Sequence, residues 1–476
     1  MLENFLLEDK QNIAIYGAGM VADILFFRLS SLGYRDRIKM FLVTDISGNE
    51  MSKFGLDVVE LSGTVNLLDD CKILIATKKK DQDDICSNLE NYGLCNYIKI
   101  DSELLIDEFF DDLQKKRISE FKVLGQNQRT AGYGDNPKYI FEELHKRDTD
   151  NKLDLVWSVS SYDPTIPEYI RQVEFGSYDY YKELATAHIW IDNSRKSSVI
   201  RKRKGQYYIQ AWHGAAPIKK VEADAYDSLS DYYISSAMHD SEMADLFISG
   251  SKFYTDLYKK SFWYDGEILE SGLPRQDVFW DLQKVKKSIH KKYEIDENVR
   301  IALYAPTFRA KYTEGCYGIH LNDIAKALEE KFEKKFVFLV SRHPNNHIDY
   351  TFASGDKYIE IDRRQDFEEV LAATDVLITD YSGCMYDFSF TKKPIFLFQS
   401  DYEEYLSDRN FYISMNELPY VKARSNEELI EKIKGFDNAE YIEKLDSFME
   451  KMGNYDDGTA ASKVVDYIID NFFEDF

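Results

Sequence analysis

Short apolar runs closed by small or polar residues recur along this chain, with helical spacing between them, as expected of alternating strands and helices. Near the C-terminal end, Val376-Leu377-Ile378 and Pro394-Ile395-Phe396-Leu397-Phe398 have the length of buried parallel strands. Between them Thr379-Asp380-Tyr381-Ser382-Gly383 reads as a small polar loop ahead of a helical segment. The same rhythm opens the chain, where Asn12–Tyr16, Phe41–Asp45, Ile73–Thr77 and Tyr97–Ile100 are the predicted strands of a small α/β unit. Residues 101–135 read as a connecting helix followed by a loop, hence a domain boundary. A helical pattern over Lys138–Leu144 starts a second series, with strands predicted at Leu153–Val159, Ala187–Ile191, Tyr207–Gln210, Tyr232–Ser235, Leu246–Ile248 and Ile268–Glu270. After a Lys-rich helical connection, Asp281–Glu297, a third series begins with Ile301–Tyr304 and Phe336–Val340 and closes on an apolar helix, Val464–Phe473. The pattern predicts an α/β fold with a Rossmann-like domain over 1–105, a linker over 106–135, and domains over 136–285 and 286–476.

Charge and cysteine usage narrow the function. A formal net charge of −24 over 476 residues disfavours nonspecific binding to nucleic acid or to an anionic membrane surface. Two basic patches stand out against it, Lys78-Lys79-Lys80 and Arg195–Lys204, and the second is open to two readings: a solvated loop, or a contact for an anionic ligand or membrane. The five cysteines, Cys71, Cys86, Cys95, Cys316 and Cys384, contain no CxxC pair, which argues for a reduced cytosolic protein without a disulfide framework or zinc site. No apolar run approaches the ~20 residues of a membrane span, and the first residues lack the basic start and cleavage site of a signal peptide.

The candidate chemistry lies where predicted strands end. Gly17-Ala18-Gly19-Met20-Val21-Ala22 matches G-x-G-x-x-A at a strand-to-helix turn. Gly17 would permit the tight turn, Gly19 the approach of a pyrophosphate, and Asp45 a ribose hydroxyl contact. The unit has no second half to complete a dinucleotide crevice, so a nucleotide site and a structural or regulatory role both stay open. The loop at Ser382 and Gly383 is either an ordinary turn or a phosphate site made by backbone amides at a helix start. His213 follows the strand Tyr207–Gln210, where it is either a general base or a core histidine satisfied by a backbone group. Thr307 and Arg309 follow Ile301–Tyr304, and Arg342 and His343 follow Phe336–Val340. Three such edges in one sheet would converge on a crevice suited to a pyrophosphate.

Taken together, IQAWHGAAPIKK, SGLPRQD, LYAPTFR, SRHPN, DVLITDYSG, KKPIFLF and DDGTAAS resemble, in this order, the motifs of the CDP-glycerol glycerophosphotransferases. That family comprises teichoic-acid primases and polymerases and related ribitol-phosphate enzymes, and the resemblance covers roughly Ile209 to Ser462. It implies a GT-B architecture, two facing Rossmann-like domains, with the small N-terminal domain as an accessory. It implies transfer of glycerol-phosphate or ribitol-phosphate from a CDP-alditol to a hydroxyl of a lipid-linked or polymeric glycan acceptor, with release of CMP. His213 and His343 would be catalytic; Arg275, Thr307, Arg309, Arg342, Ser382, Gly383 and Asp387 would bind the donor; Lys219 and Asp380 would serve the acceptor or orient the loop. No cofactor is required, a metal is not indicated, and the implied location is cytoplasmic with weak peripheral membrane contact. The chain departs from the family pattern at Gly383, which replaces a second serine, and at Ala215-Ala216-Pro217 after the WHG motif. A GT-B glycosyltransferase using a nucleotide sugar and a non-catalytic nucleotide sensor are the rival expectations.

Overall fold

Residues 11–47, 49, 51–128, 132–214, 219–307, 318–341, 357–362, 364–403 and 411–473 are described by the computed structural model. Two units emerge: 1–119 with 173–186, and 120–172 with 187–476.

The first unit is a Rossmann-like layer. Its elements are β1 (Asn12–Tyr16), α1 (Met20–Ser31), β2 (Ile38–Val43), β3 (Ser52–Lys53), β4 (Leu56–Glu60), β5 (Cys71–Ile75), α2 (Gln82–Asn91), β6 (Tyr97–Lys99) and α3 (Ser102–Gln114). The strand order is β3-β4-β2-β1-β5-β6, parallel except for the β3–β4 hairpin. The four predicted strands are present, and the hairpin is additional. Its strands are short and half polar, so they carry no periodic signal. Phe54 and Gly55 turn it with φ of 51° and 74°, the left-handed pair that a two-residue hairpin requires. Gly17 leaves β1 with φ +127°, and a Cβ there would stand 2.6 Å from the Ala76 carbonyl oxygen.

The second unit contains two sheets. The first is built from β7 (Ser119–Gln126), α4 (Asp135–Arg147), β8 (Asp154–Val159), β9 (Ile170–Glu174), α5 (Tyr178–Thr186), β10 (Ala187–Asp192), β11 (Tyr207–Gln210), α6 (Asp231–Met243), β12 (Leu246–Ile248), α7 (Lys252–Ser261), β13 (Glu267–Leu269) and α8 (Leu282–Lys292). Of these, residues 173–186 cluster with the first unit. The order β13-β12-β11-β10-β7-β8-β9 puts β7 inside the sheet, between β10 and β8. This corrects the linker expected over 106–135: α3 belongs to the first unit, and a strand stands where a loop was expected. The glycine that weakens the strand signal has a packing reason, since a Cβ at Gly125 would lie 2.5 Å from the Phe141 ring and 2.8 Å from Trp157. Tyr232–Ser235, expected as a strand, lies in α6, where the Ser230 hydroxyl accepts from the Tyr233 amide at 3.2 Å and caps the helix.

The second sheet comprises β14 (Arg300–Tyr304), α9 (Leu321–Phe332), β15 (Phe336–Val340), β16 (Ile359–Glu360), α10 (Phe367–Ala373), β17 (Val376–Thr379), α11 (Cys384–Ser389), β18 (Ile395–Phe398) and β19 (Val421–Ala423), followed by α12 (Asn426–Lys434), α13 (Asn438–Met452) and α14 (Ala460–Phe472). Its order is β16-β15-β14-β17-β18-β19, all parallel. Leu303, Leu339, Leu377 and Leu397 are fully buried, as strands covered on both faces demand. The last helix does not stay with this sheet. The Asp277 carboxylate accepts from the Ala460 and Ala461 amides at 2.9 and 2.8 Å, capping α14 from a 3-10 helix of the preceding half. Two parallel sheets with their helices, facing one cleft, make a GT-B type fold.

Gly17→Ala combines a forbidden φ with a backbone collision, so the variant should lose more than ~1 kcal/mol. Denaturant unfolding of the first unit should show this as a lowered midpoint; an unchanged midpoint would remove the turn from the structural account.

Candidate active site

His213 owes its position to β10 and β11. Asp192, the last residue of β10, accepts from the Asn193 and Ser194 amides at 2.7 and 3.0 Å and fixes the turn that follows. That turn presents the Asn193 carbonyl to His213 Nδ1 at 2.6 Å. Bonding to a carbonyl makes Nδ1 the protonated nitrogen, which leaves Nε2 as an acceptor. Trp212 takes φ 47° to swing the histidine out of the sheet, and Gly214 follows at φ 134°. The backbone ahead of the histidine is held by buried partners. Gln210 Oε1 accepts from the Trp212 amide at 2.9 Å, and Asn136 Nδ2 donates to the Ala211 and Trp212 carbonyls at 2.9 and 3.2 Å. His213 is itself exposed and lines the cleft. Desolvation by the dense wall around it still outweighs the Asn193 carbonyl and Asp135, and holds its pKa below the ordinary 6.5.

Beneath this loop lies the first part of the basic run. Arg195 pairs with Glu222 at 2.9 Å and Asp240 at 3.0 Å, and Lys196 pairs with Asp192 at 2.8 Å, all of them buried. The Arg195 guanidinium also stands 5.4 Å from the Trp212 ring centre. Neither reading of the patch fits these two residues, which support the histidine loop from inside. Arg201 and Lys204 are exposed, and Lys202 pairs with Asp245.

The cleft itself is a cavity of about 400 Å³. Its walls include His213 and Gly214 on one side and Ala305, Pro306, Ser341, Ser382 and Gly383 on the other. Arg275, a predicted donor ligand, lies buried in the floor with its charge already engaged. Nη1 meets Asp135 at 3.2 Å and Glu368 at 3.6 Å, and Nη2 meets Asp387 at 2.8 Å. Burial alone would lower the Arg275 pKa, but the three carboxylates raise it well above the ordinary value. Asp387 is pushed up by burial against the pull of Arg275, and Glu368 is pushed up further. A second cluster adjoins it: Lys138 Nζ lies 2.6 Å from Asp366 and 2.7 Å from Glu369, and the Tyr139 hydroxyl donates to Asp366 at 2.9 Å. Burial would raise Asp366, but Lys138 and its hydrogen bonds hold it below the ordinary range.

Asp380 ties the loop after β17 to the loop after β14. Its carboxylate accepts from the Thr307 amide at 2.9 and 3.0 Å and from the Thr307 hydroxyl at 2.6 Å. Thr307 is thus committed to loop geometry, while Ser382 and Gly383 line the cleft. Lys219 is not among the lining residues and forms a short antiparallel bridge to Phe411. Arg309, Arg342 and His343 lie outside the described residues. In the first unit, Lys53 Nζ donates to the Ala18 carbonyl and pairs with Asp23, both at 2.6 Å, so a cation already sits over the glycine turn. Asp45 is exposed, and a hydrogen bond from Ser47 lowers its pKa. Gly17 and Gly19 border that turn, Gly19 as the start of α1. Among the described residues no group of histidine, cysteine and acidic side chains could hold a metal, and no helix is long and apolar enough to cross a membrane.

The model of the CDP-glycerol:poly(glycerophosphate) glycerophosphotransferase family matches residues 113–470, which include both sheets and the whole cleft. The chain belongs to that family. Among glycerophosphotransferase relatives, a teichoic acid poly(glycerol phosphate) polymerase of Staphylococcus epidermidis is 28% identical over 376 residues, 75% of this chain and 51% of that protein. The chain therefore spans about half the length of this relative. A polymerase of the same description from Bacillus spizizenii is 26% identical over 70% of this chain and 88% of its own. A solved structure of the wall teichoic acid polymerase TagF superposes with a TM-score of 0.66 at 25% identity, over 83% of this chain and 99% of that one. The family motifs mark His213 and the loop at Ser382, but Asn136, Lys138, Asp366 and Glu368 carry no motif. Only the unusual start of α4, with Asp135 at φ 57°, sets that region apart.

The clustered carboxylates give a pH test. Glu368 binds its proton more tightly in the folded state than in the unfolded one. The stability it contributes is therefore full below the ordinary carboxylate range and is lost as pH rises through the folded pKa. Glu368→Gln removes that loss, so its melting temperature should gain on the wild type between roughly pH 5 and pH 8. A variant that loses ground over that range would show that Glu368 is ionised and net stabilising.

Proposed function

We propose that the chain moves a polyol phosphate from CDP-glycerol or CDP-ribitol to a hydroxyl of a cell-surface polymer, with release of CMP. The observation that carries this reading is His213, with Nε2 unprotonated, at a cleft whose other wall carries Ser382 and Gly383. An acceptor hydroxyl held at His213 attacks the β-phosphorus in line and gives its proton to Nε2. The new oxygen–phosphorus bond forms the phosphodiester, and the bond to the bridging oxygen breaks with its electron pair on CMP. Asp135 and Glu222 favour the imidazolium that results. Ser382 and Gly383 serve the donor phosphates, and Arg309, Arg342 and His343 join them on the strength of their motifs. Arg275 and Asp387 act by holding the floor, and Asp380 with Thr307 by holding the loop. The acceptor is lipid-linked or polymeric and is met at the cytoplasmic face of a membrane. Exposed Tyr232 and Met238 on α6 suit that contact, because Tyr232 and His239 of the same helix bond the 197–200 segment that leads to Arg201 and Lys204.

His213→Ala should abolish CMP release and leave calorimetric affinity for the CDP-polyol within about twofold. Loss of donor affinity in parallel with turnover would move the histidine from base to donor ligand. In the wild type, the acid limb of kcat/KM should have its midpoint below 6.5, because the proposed base titrates lower than an ordinary histidine in the free enzyme.

A further inference from the structure

α8 reads LQKVKKSIHKK, with five lysines and no acidic residue, in a chain of net charge −24. Leu282, Val285 and Ile289 turn toward the protein, and Lys284, Lys287 and Lys291 stand exposed along the other face. At 1.5 Å rise per residue, these cations follow one another every ~4.5–6 Å along the axis. Lys286 differs, being paired with Asp375 at 2.7 Å; among the described residues no ion pair engages Lys287 or Lys291. The C-terminal end of the helix reaches the cleft rim. Lys292 Nζ donates to Gln365 Oε1 at 2.6 Å, and the Tyr293 hydroxyl accepts from the Asp362 amide at 3.2 Å. Gln365 and Asp362 both line the cleft.

Beside the lysines is a cavity of about 190 Å³ lined by Gln283, Lys286, Lys287, His290 and Glu297. His290 is only 4% exposed, and its Nδ1 meets the Asp296 carbonyl at 3.2 Å. Nε2 is then a buried acceptor, with no partner among the described residues. A polyhydroxylated anion suits this place, since it brings phosphates for the lysines and hydroxyls for the Gln283 and Glu297 side chains that line the cavity. No aliphatic or aromatic side chain of α8 is exposed, which favours a polyanion in solution over a membrane.

We propose that this face of α8 is a docking track for a polyol-phosphate chain, the polymer to which the cleft adds units or from which it has just released them. The inference rests on the transferase reading above. The track holds the polyanion by repeated lysine–phosphate contacts and delivers its end to the cleft past Lys292 and Gln365.

The test compares the wild type with a Lys284→Gln, Lys287→Gln, Lys291→Gln triple variant, using a long glycerol-phosphate oligomer and a one-unit acceptor. The variant should bind the oligomer about tenfold more weakly at low salt, and its log affinity against log salt should flatten by about 2. CMP release with the one-unit acceptor should stay at the wild-type rate. Equal oligomer affinity in the two proteins would overturn the track, as would a loss confined to anionic vesicles. The binding arm needs no turnover, so a wild type that released no CMP would sink the transferase reading separately.

Discussion

One buried guanidinium sets the geometry of the cleft. Arg275 is shared by Asp135, Glu368 and Asp387, which belong to three elements and to both halves of the second unit. A cation out of water is tolerated only with such partners, and removing it would leave buried acidic groups unpaired at a typical cost of about 3–5 kcal/mol. The same residue governs the His213 loop through its backbone, because the Arg275 amide donates to Asn136 Oδ1 at 3.1 Å. Asn136 in turn holds the two carbonyls that precede His213. An ion cluster in the floor, one asparagine and a histidine loop thus form a continuous chain.

Strain is concentrated where that chain ends. Asp135 and Trp212 both adopt left-handed backbone angles, and each is over-determined by buried hydrogen bonds. The result is a histidine whose orientation the fold fixes. Its Nδ1 is committed to Asn193, and its Nε2 basicity is trimmed by desolvation. For the proposed phosphoryl transfer, which offers the protein little covalent work, a preset histidine and a loop braced by Asp380 are the contributions that matter.

The sequence made most strands of the two cleft sheets legible, though not β9, β16 or β19, because strands buried on both faces are uninterrupted apolar runs, as at Phe336–Val340 and Val376–Thr379. β7 was hidden by Gly125, whose missing side chain is a packing requirement of Phe141 and Trp157. The histidine and the Ser382 loop were readable because motifs fix residue types at strand ends. The floor was not. Lys138, Asp366 and Glu368 look like ordinary helix-surface charges until the two halves are brought together, and Arg195 and Lys196 looked like a solvated run until their buried acids were seen. Long-range pairing of charges leaves no local periodicity to read.

The central claim is that this cleft cleaves a CDP-polyol. CMP release from the purified chain, measured side by side with CDP-glycerol, CDP-ribitol and a UDP-sugar, addresses it directly. The account predicts that one CDP-polyol is consumed and the UDP-sugar is spared. Consumption of the UDP-sugar with both CDP-polyols intact would contradict it and make the chain a glycosyltransferase on the same fold.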